Sequence, residues 1–129
     1  MSEIPIVAVV DDDEMVGEAT AQLIETFGLV ARIFSSAEAY LKSNCFDETS
    51  CIVSDVQMPR IDGLQLQQRL IKLGHDIPVI FVTAFANERV HRRAMKAGAV
   101  CFLMKPFEPS RLLDCLRSAL GRWAPEPAA

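Results

Sequence analysis

Five short apolar runs, VAVV, VARIF, CIVS, PVIFVT and CFLM, alternate along the chain with stretches whose apolar residues recur at helical spacing. No other feature restricts the fold as much. Strand and helix in alternation build α/β units, and near-continuous Val, Ile and Phe runs are strands buried on both faces. The periodicity predicts a strand over about 5–11, then a helix over about 14–27 carrying Val16, Ala19, Leu23 and Phe27 and ended by Gly28. A second strand spans Val30 to Phe34, and Ser35 with Glu38 three residues on predicts a capping box for a short helix reaching Ser43. Cys51 to Asp55 reads as the third strand. Met58-Pro59 then breaks the chain, and Asp62-Gly63 turns it into a helix with Leu66, Leu70 and Leu73, stopped by Gly74. Pro78 to Thr83 forms a fourth strand, and Asn87 caps a helix running to Ala97, where Gly98 stops it. Cys101 to Met104 is the fifth strand, and Pro109 opens a last helix with Leu112, Leu113, Leu116 and Leu120 on its inner face. Five β-α units imply a parallel sheet covered by helices on both sides.

The 129 residues suffice for one domain whose core needs no disulfide or zinc staple. With 50% hydrophobic and 23% charged residues the composition is that of a globular protein, and no apolar stretch reaches the length that spans a bilayer. The opening MSEIPIVAVVDDDE has no basic region ahead of its apolar run, which predicts no secretory signal and a cytoplasmic location without membrane contact. A net charge of -4 argues against direct nucleic-acid binding through a general positive field. Cys45, Cys51, Cys101 and Cys115 contain no CxxC pair and are expected to be reduced thiols, with a redox or metal role as the alternative, and the isolated His75 and His91 do not suggest zinc. Residues 122–129, rich in Pro and Ala, are expected to be a flexible tail, with Trp123 packing back on the last helix.

Three of the apolar runs end in charge: VAVV in Asp11-Asp12, CIVS in Asp55, CFLM in Lys105. A parallel sheet delivers all four side chains to the carboxyl edge of its strands, where α/β folds bind ligands. Singly, each has a plain reading, the Asp pair and Asp55 as turn or cap residues and Lys105 as a solvated strand end. The plain readings leave their joint placement unexplained. Gathered carboxylates repel one another unless a cation sits among them, and oxygen donors suit a hard divalent ion such as Mg²⁺, or Mn²⁺ in its place. Lys105 is then the contact for an incoming anion.

The segments VAVVDDDE, IVSDVQMPRIDG, VIFVTAF and FLMKPF, in this order and spacing, resemble the receiver domain of two-component response regulators over about residues 4–120. The resemblance implies a flavodoxin-like (βα)5 fold, a sheet in the order 2-1-3-4-5, and a receiver spanning 1–121. It implies that Asp55 accepts a phosphoryl group from a histidine kinase or phosphotransfer protein. Asp11 and Asp12 would hold Mg²⁺ with Asp55 and the main-chain carbonyl of Gln57, Lys105 would contact the phosphoryl group, and Thr83 with Phe102 would form a switch. Catalysis would be limited to the domain's own phosphorylation and dephosphorylation. The likeness is to receivers that usually precede a helix-turn-helix output domain; whether this chain stands alone or belongs to a longer regulator is left open.

The residues themselves support a mechanism of this kind. Thr83, followed by the small Ala84, can donate its hydroxyl to a phosphoryl oxygen, and its movement would vacate space for Phe102 to fill; the plainer readings are a hydroxyl bonded to nearby backbone and a static core ring. Gln57 and Phe85, each two residues past a site residue, are expected to overhang the phosphoryl group, Phe85 shielding it from water. Arg89, Arg92, Arg93 and Lys96 form a basic stripe on the fourth helix, either a solvated face or a docking surface for an acidic partner or a second copy. Two other classes compete: an adaptor that keeps the fold for docking only, and a small Mg²⁺ phosphatase with Asp11 and Asp13 as its nucleophile pair.

Overall fold

Strand β1 (Ile6–Val10) sends Val7 and Val9 to one side of the sheet and Ala8 and Val10 to the other, and all four are buried. The computed structural model describes residues 4–85 and 87–121, so the tail expectation for 122–129, Trp123 included, lies outside the described residues. Beside β1 run β2 (Val30–Phe34), β3 (Cys51–Asp55), β4 (Val79–Thr83) and β5 (Cys101–Met104), all parallel, in the order β2-β1-β3-β4-β5. Helices α1 (Glu14–Thr26), α2 (Ala37–Lys42), α3 (Gly63–Lys72), α4 (Glu88–Lys96) and α5 (Pro109–Leu120) connect and follow the strands. This is the flavodoxin-like (βα)5 arrangement.

Two apolar layers sandwich the sheet. One joins Val7, Val9, Cys51, Val53, Ile80 and Val82 to Ala21 and Ile24 of α1 and to Leu112, Cys115 and Leu116 of α5. The other joins Ala8, Val10, Ile52 and Phe81 to Ala37 and Tyr40 of α2, to Leu64, Leu66 and Leu70 of α3 and to Ala94 of α4. The chain leaves β1 toward β2 and later crosses back to β3, so the order reverses between β1 and β3. A crevice opens at the carboxyl ends of two such strands. Those ends carry Asp11 and Asp55.

Local chemistry explains the boundaries. Asp13, Ser36, Asp62 and Asn87 cap α1, α2, α3 and α4, each accepting a backbone N–H three residues on, and Asp62 with Gln65 completes a capping box. The cap of α2 is therefore Ser36, one residue later than the Ser35 expected, because it is the Ser36 hydroxyl that meets the N–H of Ala39 at 3.0 Å. β1 ends at Val10 rather than about residue 11, and β4 begins at Val79 rather than Pro78, whose nitrogen has no hydrogen to give a ladder. Gly28, Gly74 and Gly98 follow their helices with φ of 88°, 80° and 103°, the left-handed region where a side chain is strained.

The cysteine expectation is overturned for one pair. Cys101 of β5 and Cys115 of α5 form a disulfide with Cα atoms 5.9 Å apart, while Cys45 and Cys51 are free. The pair has a sequence separation of 14, and only the packing of α5 on β5 makes them neighbours.

Candidate functional site

Lys105 anchors the carboxyl edge of the sheet. Its Nζ lies 3.1 Å from Asp11 Oδ2 and 3.1 Å from Asp55 Oδ2, with side-chain exposures of 16% for the lysine, 2% for Asp11 and 14% for Asp55. Its backbone is fixed by an N–H donated to Thr83 O at 2.7 Å, and the Lys105-Pro106 peptide is cis. Burial by itself would push the ammonium's pKa down, but hydrogen bonds and charge from Asp55 and Asp11 outweigh it and hold the pKa above the usual lysine value. Lys105 was expected to serve an incoming anion; here it bridges two of the protein's own.

Each carboxylate is oriented by backbone as well. Asp11 Oδ1 accepts the N–H of Asp13 at 2.9 Å, and Asp55 Oδ1 accepts the N–H of Gln57 at 3.1 Å. Gly63 brings α3 against the end of β3: its N–H donates to Val56 O at 2.8 Å, and a Cβ there would collide with the Asp55 carbonyl oxygen and come within 2.9 Å of the Phe81 ring. Asp11, Asp12 and Asp55 each offer a carboxylate oxygen within 4.8 Å of the others, with Asp11 buried, Asp55 partly buried and Asp12 exposed. Three hard oxygen donors on an edge open to water fit a divalent cation that keeps part of its hydration. Asp13 is not in this group; its carboxylate receives the N–H of Val16 at 3.2 Å as the cap of α1.

Thr83 ends β4, is buried, and accepts the N–H of Phe85 on its hydroxyl oxygen at 3.2 Å. Ala84, Phe85 and Gln57 are exposed, Phe85 by 62%. Phe102, expected either to fill space vacated by Thr83 or to be a static core ring, is half-buried, tilted against Phe81 at 6.4 Å between centroids and stacked on His91 of α4 at 4.7 Å with an interplanar angle of 18°. Sequence reasoning gave His91 no part here. Its position one residue past Val90, which packs on the core, was the available signal that it borders the β5 face.

Arg89, Arg92, Arg93 and Lys96 are exposed on α4 and border one shallow groove with Glu88, which pairs with Arg92 at 3.6 Å. Arg93 also borders a second groove formed by Val56, Gln57, Met58, Pro59, Asp62, Leu64 and Val90, so the stripe reaches the loop after Asp55. On the opposite side of the site, Met15, Val16, Ala19 and Leu23 of α1 face Lys105, Pro106 and Phe107 across an apolar groove.

The family model for the response regulator receiver domain matches residues 7–117. The chain belongs to this family. Among its relatives are the response regulator protein TmoT of Ectopseudomonas mendocina, 39% identical over 115 residues covering 89% of this chain and 52% of TmoT, and nodulation protein W of Bradyrhizobium diazoefficiens, 42% identical over 117 residues covering 91% and 52%. The transcriptional regulatory protein FixJ of Azorhizobium caulinodans is 40% identical over 118 residues, covering 92% of this chain and 56% of FixJ. This receiver thus spans about half the length of the curated relatives it matches. The crystal structure of FixJ-N superposes with a TM-score of 0.84 at 31% identity, covering 96% of this chain and 98% of that one. The structure of response regulator StyR has a TM-score of 0.84 at 38% identity, covering 92% and 60%. Response regulator receivers are signalling modules of two-component systems, and among the described residues no helix is long and apolar enough to cross a membrane.

Proposed function

We propose that this receiver takes a phosphoryl group onto Asp55 from the phosphohistidine of a cytoplasmic kinase or phosphotransfer protein, and passes the event to the surface of α4 and β5. The observation that carries the reading is the bridging ammonium of Lys105, 3.1 Å from both Asp11 and Asp55. Asp55 Oδ1 is held by the Gln57 amide, which leaves Oδ2, the oxygen bonded to Lys105, as the atom to attack. When the phosphoryl group arrives, Lys105 moves its charge from that oxygen to the transferred oxygens, and remains tied to Asp11. Asp11, Asp12, Asp55 and the carbonyl of Gln57 would hold Mg²⁺, or Mn²⁺, which when bound neutralises charge on the phosphoryl oxygens.

Attack forms an acyl phosphate at Asp55 and breaks the donor's P–N bond, the imidazole leaving with a proton. The phosphoryl group carries about two negative charges, a net gain of about one over the carboxylate it replaces, and brings strong acceptors to the mouth of the crevice. Thr83 can turn its hydroxyl proton toward one of these oxygens, exchanging its present bond with the Phe85 N–H. Phe102 then has a reason to leave the His91 stack and fill the space inside, which changes the α4–β5 face that bears Arg89, Arg92, Arg93 and Lys96. That face would meet a second copy, an acidic partner or an output domain. The apolar groove between α1 and Phe107, which opens beside Lys105, fits the apolar face of a helix carrying the donor histidine.

Incubation with acetyl phosphate and Mg²⁺ tests the reading. A gain of about 80 Da on the intact chain, absent without the metal and absent in Asp55→Asn, is expected. Label that persists in Asp55→Asn contradicts it, and an unlabelled wild type favours the docking-only adaptor.

A further inference from the structure

We propose that Cys101 and Cys115 are a reversible dithiol–disulfide couple, a redox modification site whose closure ties β5 to α5 and resists movement of the segment that bears Phe102 and Lys105. The backbone holds the partners at a Cα separation of 5.9 Å, inside the span a disulfide requires, so opening and closing need no rearrangement of the fold. Cys101 is half-buried and Cys115 almost fully buried, which leaves one sulfur of the pair within reach of a small oxidant or reductant.

The position gives the bond its effect. β5 is an edge strand of four residues, bonded through its ladder to β4 alone. Its remaining anchor is packing, and Cys101 and Cys115 lie in the layer between sheet and α5. The loop that the bond closes contains Phe102 and Lys105, the two residues whose displacement the phosphoryl reading requires. The competing thiols are poorly placed to interfere. Cys51 is buried in β3, where burial pushes its thiol up to about 12 and keeps it un-ionised, and Cys45 lies in the α2–β3 connection near Ser43.

Hydrogen peroxide is an oxidant of the right class. The Cys101 thiolate attacks one peroxide oxygen, the O–O bond breaks, and the departing hydroxide takes up the thiol's proton to leave as water, giving a sulfenic acid. The Cys115 sulfur then attacks that sulfur, loses its proton and displaces hydroxide as a second water. Two thiols have lost two electrons and two protons, and one peroxide has become two waters. A dithiol reductant reverses the reaction by attack at the Cys101 sulfur through a mixed disulfide.

The existence of the couple is independent of the phosphoryl reading; its effect on labelling rests on that reading. The 129-residue chain is treated with hydrogen peroxide or with dithiothreitol and then alkylated. The oxidised form is expected to be about 2 Da lighter before alkylation, to lose two of four reactive positions in denaturant, and to yield a cross-linked Cys101–Cys115 peptide. Its Tm is expected to rise by about 10 °C over the reduced form. Cys101→Ser should abolish these changes and Cys51→Ser should preserve them. In acetyl phosphate with Mg²⁺, the reduced form should take up label faster than the oxidised form. Four alkylated cysteines after peroxide treatment of the folded protein, or a different pairing, overturns the couple; equal labelling rates in the two forms overturn the restraint. If neither form takes label, the acceptor reading fails while the thiol count still decides the couple.

Discussion

Replacing Lys105 with methionine keeps an apolar stem of similar length and deletes the charge, so it isolates the ion contacts at the carboxyl edge. Asp11 and Asp55 would then face each other with carboxylate oxygens no more than 4.8 Å apart, a repulsion of about 3.5 kcal/mol at an effective dielectric of about 20. Neither side chain is more than 14% exposed, so water does little to screen the pair. Removing one partner from a buried ion pair costs about 3–5 kcal/mol in general. Both routes point to a loss of roughly 3 kcal/mol at pH 8, or a fall in Tm of about 10 °C for a domain of this size. In the wild type the ammonium is held above its usual value of 10.5, so its contribution is complete through neutral pH and fades only as pH rises through that raised value. Urea titrations of both proteins at pH 8 measure the difference. The gap is expected to narrow there when Mg²⁺ is added. A gap under about 0.5 kcal/mol at pH 8 would refute the electrostatic account of this edge.

Gly63→Ala places a methyl group against the Asp55 carbonyl and within 2.9 Å of the Phe81 ring, which should cost about 1–3 kcal/mol in urea and displace the acceptor carboxylate; an unchanged midpoint would show that α3 can shift freely. Cys51, its thiol raised to about 12 by burial, should resist alkylation at pH 8 until the chain is unfolded, and stability should decline between about pH 9 and 12 as the unfolded thiol ionises first. Rapid alkylation of native protein at that cysteine would contradict the burial argument. Phe85→Ala should shorten the lifetime of the acyl phosphate if the exposed ring shields it, and an unchanged dephosphorylation rate removes that role.

The runs of β1, β3 and β4 were legible because burial on both faces forces continuous apolar residues, whereas β2 and β5 at the sheet edges are largely exposed or half-buried and kept apolar runs all the same; the charged residues closing the runs stood out against that background. Asn87 and the Asp62-Gly63 turn were equally plain, since a cap is written within three residues of the groups it serves. Ser35 and Ser36 show the limit of the same rule: two adjacent hydroxyls compete, and only the path of the backbone decides which one reaches the Ala39 amide. Contacts made by packing leave no local mark. Cys101 meets Cys115 because α5 crosses β5, and His91 meets Phe102 because α4 lies beside the sheet edge. Lys105 was readable as a site residue, but its double contact with Asp11 and Asp55 joins positions 94 and 50 apart in sequence and depends on the chain between them folding correctly.

The most direct test of the acceptor is chemical. Borohydride cleaves an acyl phosphate and reduces the aspartyl carbonyl to an alcohol, leaving homoserine where the phosphoryl group had been. After labelling with acetyl phosphate and Mg²⁺, peptide sequencing by mass spectrometry should find homoserine at position 55 and aspartate retained at positions 11, 12 and 13. Homoserine at any of those three in place of 55, or at none of the four in a protein that has gained the phosphoryl mass, would contradict the assignment of Asp55.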